Sequence, residues 1–212
     1  MIIVNEIFYS IQGESTFAGL PCIFIRLTGC NLRCRYCDTR YAYEEGRGMS
    51  VAAIVAAIEP YRCNLVEITG GEPLLQSETV DLARELIGRG KQVLVETNGT
   101  LSLEPLSPPI VRIMDIKCPD SGEHERTDWE NIRRLRSTDN VKFVISSRVD
   151  FDWALAVIQK YHLPARAAIL MSPVHGAVPP SLLAEWVLQA GSPIRLQLQL
   201  HKYIWPANQR GV

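Results

Sequence analysis

The sequence has almost no excess charge of either sign and no long apolar run, and both absences exclude functions. Its 212 residues include 22 Lys and Arg against 23 Asp and Glu, a formal net charge of −1. Scattered basic residues leave no electrostatic footprint for nucleic acid, so we expect no such partner. No apolar stretch is long enough to cross a bilayer, and the N-terminus lacks a basic region followed by a long apolar run. We therefore expect a cytoplasmic protein without membrane association.

Cysteine occurs without any repeating framework. Of the six cysteines, three lie within eight residues, at positions 30, 34 and 37. This usage favours a reducing compartment over a disulfide scaffold. Cys22, Cys63 and Cys118 are interpreted as ordinary small core residues. The length is sufficient for one α/β domain with a substantial core, and we predict a single domain over residues 1–212.

Three thiols at this spacing indicate a metal site. Zinc and iron–sulfur clusters are the candidates for soft ligands. Structural zinc is held by four donors in a closed tetrahedron, and a fourth donor is missing locally. A [4Fe–4S] cluster held by three thiolates leaves one iron open to a small molecule. A zinc site completed by a distant His and plain buried cysteines are the alternatives.

Two motifs resemble those of the radical S-adenosylmethionine superfamily. The first is Cys-x3-Cys-x2-Cys with Tyr36 before the last cysteine, and the second is Gly70-Gly71-Glu72-Pro73 after an apolar stretch. The resemblance implies that the amino and carboxylate groups of S-adenosylmethionine bind the open iron, with the second motif receiving the amino group. It also implies that one electron from the cluster cleaves the cofactor to a 5′-deoxyadenosyl radical, while the protein positions and shields the reactants.

Apolar stretches predict strands that alternate with helices. The predicted strands are 4–9, 22–27, 65–69, 92–96, 111–117, 141–145, 167–171 and 194–200. The predicted helices are 51–59 with Ser50 as N-cap, 82–87, 127–136 with a Thr127/Glu130 capping box, 150–161 with Asp150 as cap, and 181–190. Alternation implies a parallel sheet with right-handed crossovers. With about six main strands and few helices, we predict an α/β fold, a partial, open radical-S-adenosylmethionine-type β/α barrel.

Chemically active residues recur at the C-terminal ends of the predicted strands. They are Cys30, Gly70 and Gly71, Glu96, Asp115 with Lys117, and Ser172. Such ends gather on one side of a parallel barrel or open sheet, where sites form. Arg26 stands within an apolar strand and needs an anionic partner, either a carboxylate of the chain such as Glu14 or a ligand.

Six segments together resemble the 7-carboxy-7-deazaguanine synthase family across nearly the whole chain. They are residues 6–14, 24–26, 37–39, 69–73, 96–99 and 201–203. The resemblance implies a carbon–nitrogen lyase that contracts the ring of 6-carboxy-5,6,7,8-tetrahydropterin to 7-carboxy-7-deazaguanine, with loss of ammonia, in the biosynthesis of queuosine and other 7-deazapurines. It also implies regenerated S-adenosylmethionine, Mg2+, an electron donor of the flavodoxin or ferredoxin type, and a homodimer.

The same resemblance implies roles for individual residues. The implied cluster ligands are Cys30, Cys34 and Cys37. The implied cofactor contacts are Tyr36, Cys37, Asp38, Gly70, Gly71, Glu72, Glu96, Asp115, Lys117, Ser172 and His175. The implied substrate contacts are Ile11, Gln12, Gly13, Glu14, Arg26, Thr69 and His201, and Thr39 is the implied magnesium ligand. Residue chemistry agrees, because Glu14 can accept the donors of a 2-aminopyrimidinone edge and Arg26 can bind a carboxylate.

Two alternatives stay open at this level. A different radical S-adenosylmethionine enzyme, such as a glycyl-radical activase, would share the cysteine spacing without needing Glu14 and Arg26. A non-catalytic zinc-binding module would hold about one zinc and no sulfide.

Overall fold

One nine-stranded sheet runs through the protein, whose residues 1–212 are all described by the computed structural model. The strands are β1 Ile2–Ile11, β2 Pro21–Leu27, β3 Arg47–Met49, β4 Leu65–Gly70, β5 Gln92–Thr97, β6 Val111–Asp115, β7 Asn140–Ile145, β8 Ala168–Pro173 and β9 Ile194–Leu196. Their order is β3-β1-β2-β4-β5-β6-β7-β8-β9. Strands β2 and β4 to β9 run parallel, whereas β1 pairs antiparallel with β2 and β3. The two edge strands do not pair, which confirms the predicted open, mostly parallel α/β sheet.

Few helices cover this sheet, as predicted. They are α1 Val51–Ile58, α2 Thr79–Gly88, α3 Asn131–Arg134, α4 Arg148–Tyr161, α5 Pro180–Ala190 and α6 His201–Ile204. Helix α1 begins as its sequence predicts, because the Ser50 hydroxyl accepts a hydrogen bond from the Ala53 amide at 3.1 Å. None of these helices has the length and apolar character needed to span a membrane.

The two faces of the sheet bury different kinds of side chain. The outer face and the helices form a core of 37 buried residues that includes Ile25, Ile68 and Val95. The inner face has a smaller apolar cluster of seven, namely Phe8, Cys22, Phe24, Leu65, Leu94, Val111 and Ile113. Side chains alternate along a strand, so Phe24 and Arg26 point to the same side. The inner face is therefore apolar at one end and charged towards the carboxyl ends of its strands.

Two predicted helix starts are wrong. The cap of α4 is Ser147, whose hydroxyl accepts a hydrogen bond from the Asp150 amide at 3.3 Å. The buried Asp150 carboxylate instead accepts from the backbone amides of Asp120 and Ser146. The Thr127/Glu130 capping box does not form either. Helix α3 is a single turn there, because the Arg136 amide donates to Asp139 at 2.8 Å and carries the chain out of the helix.

Two strand predictions also need correction. Strand β9 ends at Leu196 rather than at residue 200. The Gln197 amide still donates to Met171 on β8 at 2.8 Å, but the Leu200 amide donates to Gly13 at 3.1 Å, away from the sheet. The Gly-rich loop after residue 43 contains β3, which pairs with the start of β1. Seven parallel strands result, against the about six expected.

A buried ion pair generates a prediction about stability. Arg112 is 3% exposed and donates to Asp139 through Nε at 2.9 Å and through its backbone amide at 3.1 Å. Removing one partner leaves an unpaired buried charge. We predict that Asp139→Ala lowers the free energy of unfolding by about 3–5 kcal/mol in anaerobic urea titrations. Arg84→Ala, at an exposed pair with Asp81, should cost less than about 1 kcal/mol, and equal losses would contradict this account.

Candidate active site

A cavity of about 630 Å3 opens at the carboxyl ends of the parallel strands. This volume is typical of small-molecule sites. Its wall brings together most of the residues that the sequence singles out, which are Ile11, Gln12, Gly13, Glu14, Arg26, Cys30, Cys34, Tyr36, Cys37, Asp38, Thr39, Thr69, Gly70, Gly71, Glu96, Asp115, Lys117, His175 and His201. Glu72 and Ser172 do not reach the wall.

Those two residues lie behind the cavity with their polar atoms already occupied. The fully buried Glu72 carboxylate accepts from the Leu74 amide at 2.9 Å and the Asn98 amide at 2.6 Å. The Thr97 hydroxyl also donates to it at 2.9 Å. Ser172 is fully buried too, and its hydroxyl accepts from the side-chain amide of Gln197 at 3.0 Å. Neither side chain lines the cavity, and the cofactor contacts expected of Glu72 and Ser172 stay predictions.

The thiols of the cysteine loop fit an iron–sulfur cluster. All six cysteines of the protein are free, and the loop thiols line the cavity. The Leu32 amide and the Asn98 side chain donate to Cys30 Sγ at 3.4 and 3.9 Å. Burial raises the pKa of the Cys34 thiol to about 11. No three His, Cys, Asp or Glu side chains converge on one ion position, and a cubane cluster spreads its thiolates over separate irons.

The remaining cysteines are structural. Cys22 and Cys118 are fully buried among apolar side chains, as predicted. Cys63 is partly buried and donates to the Pro21 carbonyl at 3.2 Å.

The glycine pair at the end of β4 lets this strand end approach the cysteine loop. A Cβ at Gly71 would collide with the Gly29 carbonyl and would lie 2.9 Å from the Cys30 Cβ. The Gly71 amide donates to the Leu27 carbonyl at 3.1 Å. Gly70 has φ +145°, which a residue with a side chain rarely adopts. The backbone of the second motif thus lies directly against the cysteine loop, as a shared cofactor site requires.

Asp38 and Thr39 place two oxygen-bearing side chains next to each other on the cavity wall. The Thr39 hydroxyl donates to Asp38 at 2.9 Å, and the Lys202 ammonium lies 2.5 Å from the same carboxylate. Desolvation raises the pKa of Asp38, but Lys202 and Thr39 outweigh it and hold that pKa below its usual range. Asp38 therefore stays ionised near neutral pH.

The centre of the cavity floor is a lysine that sequence reasoning missed. Lys142 on β7 is 4% exposed, and its Nζ lies 2.9 Å from Glu14, 3.4 Å from Asp115, and in hydrogen-bond contact with Glu96. Burial opposes its charge, but the carboxylates hold the pKa of Lys142 well above its ordinary value. A second ammonium, Lys117, lies 2.9 Å from Asp115.

Glu67 on β4 is the second residue that was missed. It is buried, and Gln12 donates to it while accepting from the Glu14 amide at 2.9 Å. Burial first, and then the nearby Glu96, raise the pKa of Glu67 to about 8. The side chain is therefore mainly protonated at neutral pH. A signal existed in the sequence, because Glu67 and Lys142 are charged residues inside apolar strands, as Arg26 is.

The anionic partner of Arg26 within the chain is Glu6 rather than Glu14. Arg26 Nε donates to Glu6 at 2.8 Å, and Tyr41 donates to the same carboxylate at 3.1 Å. The guanidinium carbon lies 5.7 and 5.8 Å from the ring centroids of Phe8 and Tyr41. Since only Nε is used, the two terminal nitrogens stay free for a ligand.

The C-terminal tail, to which the sequence assigned no role, forms part of the cavity wall. Residues 207–212 line the cavity. Arg210 stacks on the Tyr41 ring at 3.8 Å and binds Glu45 at 2.8 Å, which anchors the tail beside the cysteine loop. His201, at the start of α6, contacts Gly13, and burial lowers the pKa of its imidazole, so it is neutral at neutral pH.

Comparisons with known proteins agree with this geometry. A family model described as the Radical SAM superfamily matches residues 24–114. The chain is 45% identical to the 7-carboxy-7-deazaguanine synthase of Chlorobaculum tepidum, over 99% of this chain and 96% of that protein. It is 42% identical to the synthase of the same name from Koribacter versatilis, over 99% of both. Among solved structures, QueE from Escherichia coli matches with a TM-score of 0.78 at 22% identity over 93% of both chains, which confirms the fold.

The raised pKa of Glu67 generates a prediction about pH. Between its ordinary value of 4.5 and about 8, the folded chain binds more protons at this residue than the unfolded chain. Glu67 therefore makes the free energy of unfolding decrease as pH rises, by up to about 1.4 kcal/mol per pH unit. We predict a flatter pH dependence for Glu67→Gln in urea titrations from pH 5 to 8. Parallel curves for the two proteins would show that Glu67 titrates normally.

Proposed function

Because the chain belongs to the 7-carboxy-7-deazaguanine synthase family of radical S-adenosylmethionine lyases, we propose that it converts 6-carboxy-5,6,7,8-tetrahydropterin to 7-carboxy-7-deazaguanine with loss of ammonia. Family membership implies a [4Fe–4S] cluster and S-adenosylmethionine. When bound, they would supply 5′-deoxyadenosyl radical chemistry for hydrogen abstraction. The observation that carries the proposal is one cavity lined by the three-cysteine loop, Glu14 and Arg26. The product would enter queuosine biosynthesis, a tRNA modification pathway.

At the cofactor end, the thiols of Cys30, Cys34 and Cys37 would hold the cluster. The Gly71 backbone lies next to Cys30, and the backbone of Gly70 and Gly71 would receive the methionine moiety. Further side chains on this part of the wall would contact the cofactor, namely Tyr36, Asp38, Glu96, Asp115, Lys117 and His175. The ion pair of Asp115 with Lys117 keeps both charges fixed before the cofactor binds.

At the substrate end, Glu14 and Arg26 would recognise opposite chemical features of the pterin. The ionised Glu14 accepts hydrogen bonds, which suits the N–H donors of a 2-aminopyrimidinone edge. The free terminal nitrogens of Arg26 suit a bidentate bond to the substrate carboxylate. The other proposed contacts are Ile11, Gln12, Gly13, Thr69 and His201, which line the same cavity. A glycyl-radical activase has no need for this partly buried carboxylate and guanidinium.

The further parts of the proposal concern the assembly and its surroundings. Three exposed arginines on or just after the cysteine loop, Arg33, Arg35 and Arg40, would favour an acidic electron donor of the flavodoxin or ferredoxin type. Free thiols suit a cytoplasmic location. The sheet that runs from residue 2 to residue 196 supports a single domain. A homodimer follows from the family resemblance.

The proposal is tested by an anaerobic assay of the cluster-reconstituted protein with 6-carboxytetrahydropterin, S-adenosylmethionine, Mg2+ and a chemical reductant. We expect 7-carboxy-7-deazaguanine to form while S-adenosylmethionine is largely unconsumed, and Cys34→Ala to lose both the cluster absorbance and turnover. Formation of 5′-deoxyadenosine without product would refute the substrate. Absence of both, with an intact and reduced cluster, would refute radical chemistry.

We also propose that Thr39 binds Mg2+ together with substrate and water. A hydroxyl is a hard oxygen donor suited to a magnesium ion that keeps several waters, and the Asp38 carboxylate beside it adds negative charge. We predict that Thr39→Ala raises the Mg2+ concentration for half-maximal turnover by at least about tenfold, the effect of losing roughly 1.4 kcal/mol of binding. Thr39→Ser, which keeps the hydroxyl, should need about as much Mg2+ as the unaltered protein. The same magnesium dependence in all three proteins would reject this ligand.

A further inference from the structure

Lys142 joins the two ends of the cavity. Its neighbours come from three elements, with Glu14 on the turn after β1, Glu96 on β5 and Asp115 on β6. Glu14 belongs to the proposed substrate end, and the other two carboxylates belong to the proposed cofactor end. An ammonium group has three N–H donors, and three carboxylates surround this one. Lys142 donates to Glu14 and Glu96, and its ammonium lies 3.4 Å from Asp115, so its own chain engages it on three sides.

Strand register fixes this position. Residues Asp115 and Lys142 are directly paired across β6 and β7, so their side chains emerge on the same face of the sheet. The lysine stem then reaches across the inner face towards β5 and the turn after β1. Such a buried charge is tolerated only with nearby opposite charge and well-formed hydrogen bonds.

The hydrogen bonds and charges around Glu14 show that the Lys142 ammonium stabilises its ionised carboxylate. Gln199 and Gln197 donate to its two oxygens at 3.0 and 3.2 Å, and Lys142 is the only cation bonded to it. The other titratable groups that surrounding elements place on the cavity wall are Glu67 on β4, Glu96 on β5, Asp115 and Lys117 on β6, and His201 and Lys202 on α6. Lys117 is paired with Asp115, Lys202 is paired with Asp38, and His201 is neutral near pH 7. Without Lys142, the partly buried Glu14 would have no cation bonded to it and would take up a proton more readily.

We propose that Lys142 is a positioning residue that keeps Glu14 ionised and oriented, so that the pterin ring finds a hydrogen-bond acceptor rather than a protonated acid. This inference rests on the proposed function, because it assigns the pterin edge to Glu14. Lys142 acts on the substrate through Glu14, whereas the cavity residues named above act by contact. Neutralising the lysine therefore makes pterin binding depend on pH.

The test measures binding rather than turnover. Anaerobic calorimetry gives the Kd of 6-carboxytetrahydropterin for reconstituted protein with S-adenosylmethionine and Mg2+ but without reductant, from pH 6.5 to 9. For Lys142→Met we expect a Kd at least about tenfold above that of the unaltered protein at pH 7, with the ratio of the two values falling at least about fivefold by pH 9. Lys142→Arg keeps the charge and should show a nearly constant ratio.

Controls separate this inference from its premise and from misfolding. The ratio of the two Kd values is also measured with Glu67→Gln added to both proteins. A fall with pH that persists there cannot come from the titration of Glu67. If Lys142→Met does not fold, Lys142→Met/Glu96→Gln removes one carboxylate with the lysine and should show the same fall in the ratio. A ratio that stays constant with pH, or an equal fall in Lys142→Arg, overturns the inference. Failure of the unaltered protein to bind the pterin overturns the proposed function instead.

Discussion

The neutralisation of buried acids by Lys142 is the interaction on which the inner face of the sheet depends. Three carboxylates meet at its ammonium, and an unpaired ion at such depth costs several kcal/mol. On the outer face, apolar side chains and helices cover most of the strands, and the buried pair of Arg112 with Asp139 is an exception. The two faces of the sheet therefore have different roles. The outer face stabilises the protein, and the inner face holds charged side chains in a low-dielectric cavity, where electrostatic interactions are strong.

This division explains why the chemistry lies at the carboxyl ends of the strands. The inner face is closed at its other end by a small apolar cluster, so charged side chains can reach solvent and ligands only on one side. There, the turn after β4 approaches the cysteine loop closely because Gly70 and Gly71 carry no side chain. Backbone proximity then joins the three-cysteine loop to the strand ends.

A second set of contacts links the substrate end to the outer rim. Arg26 is held by Glu6, Glu6 accepts from Tyr41, and Tyr41 carries the guanidinium of Arg210 on its ring. The C-terminal tail is therefore connected, through aromatic and charged contacts, to the arginine proposed to bind the substrate carboxylate. Planar guanidinium groups suit both places, because they stack on rings and keep nitrogens free at their edges.

The sequence by itself determined the local features: the three-thiol loop, the glycine pair, the alternation of strands and helices, and the open parallel sheet. These features follow from the spacing of the cysteines, from the backbone freedom of glycine and from the period of the apolar residues, all of which act between residues close in the sequence. Only the tertiary structure decided which charges meet. Lys142 and Glu67 face the cavity because of the strand register, and Glu72 lies behind the cavity wall, where the Asn98 amide that follows β5 donates to its carboxylate. Partners more than twenty residues apart are chosen by packing, which no local pattern encodes.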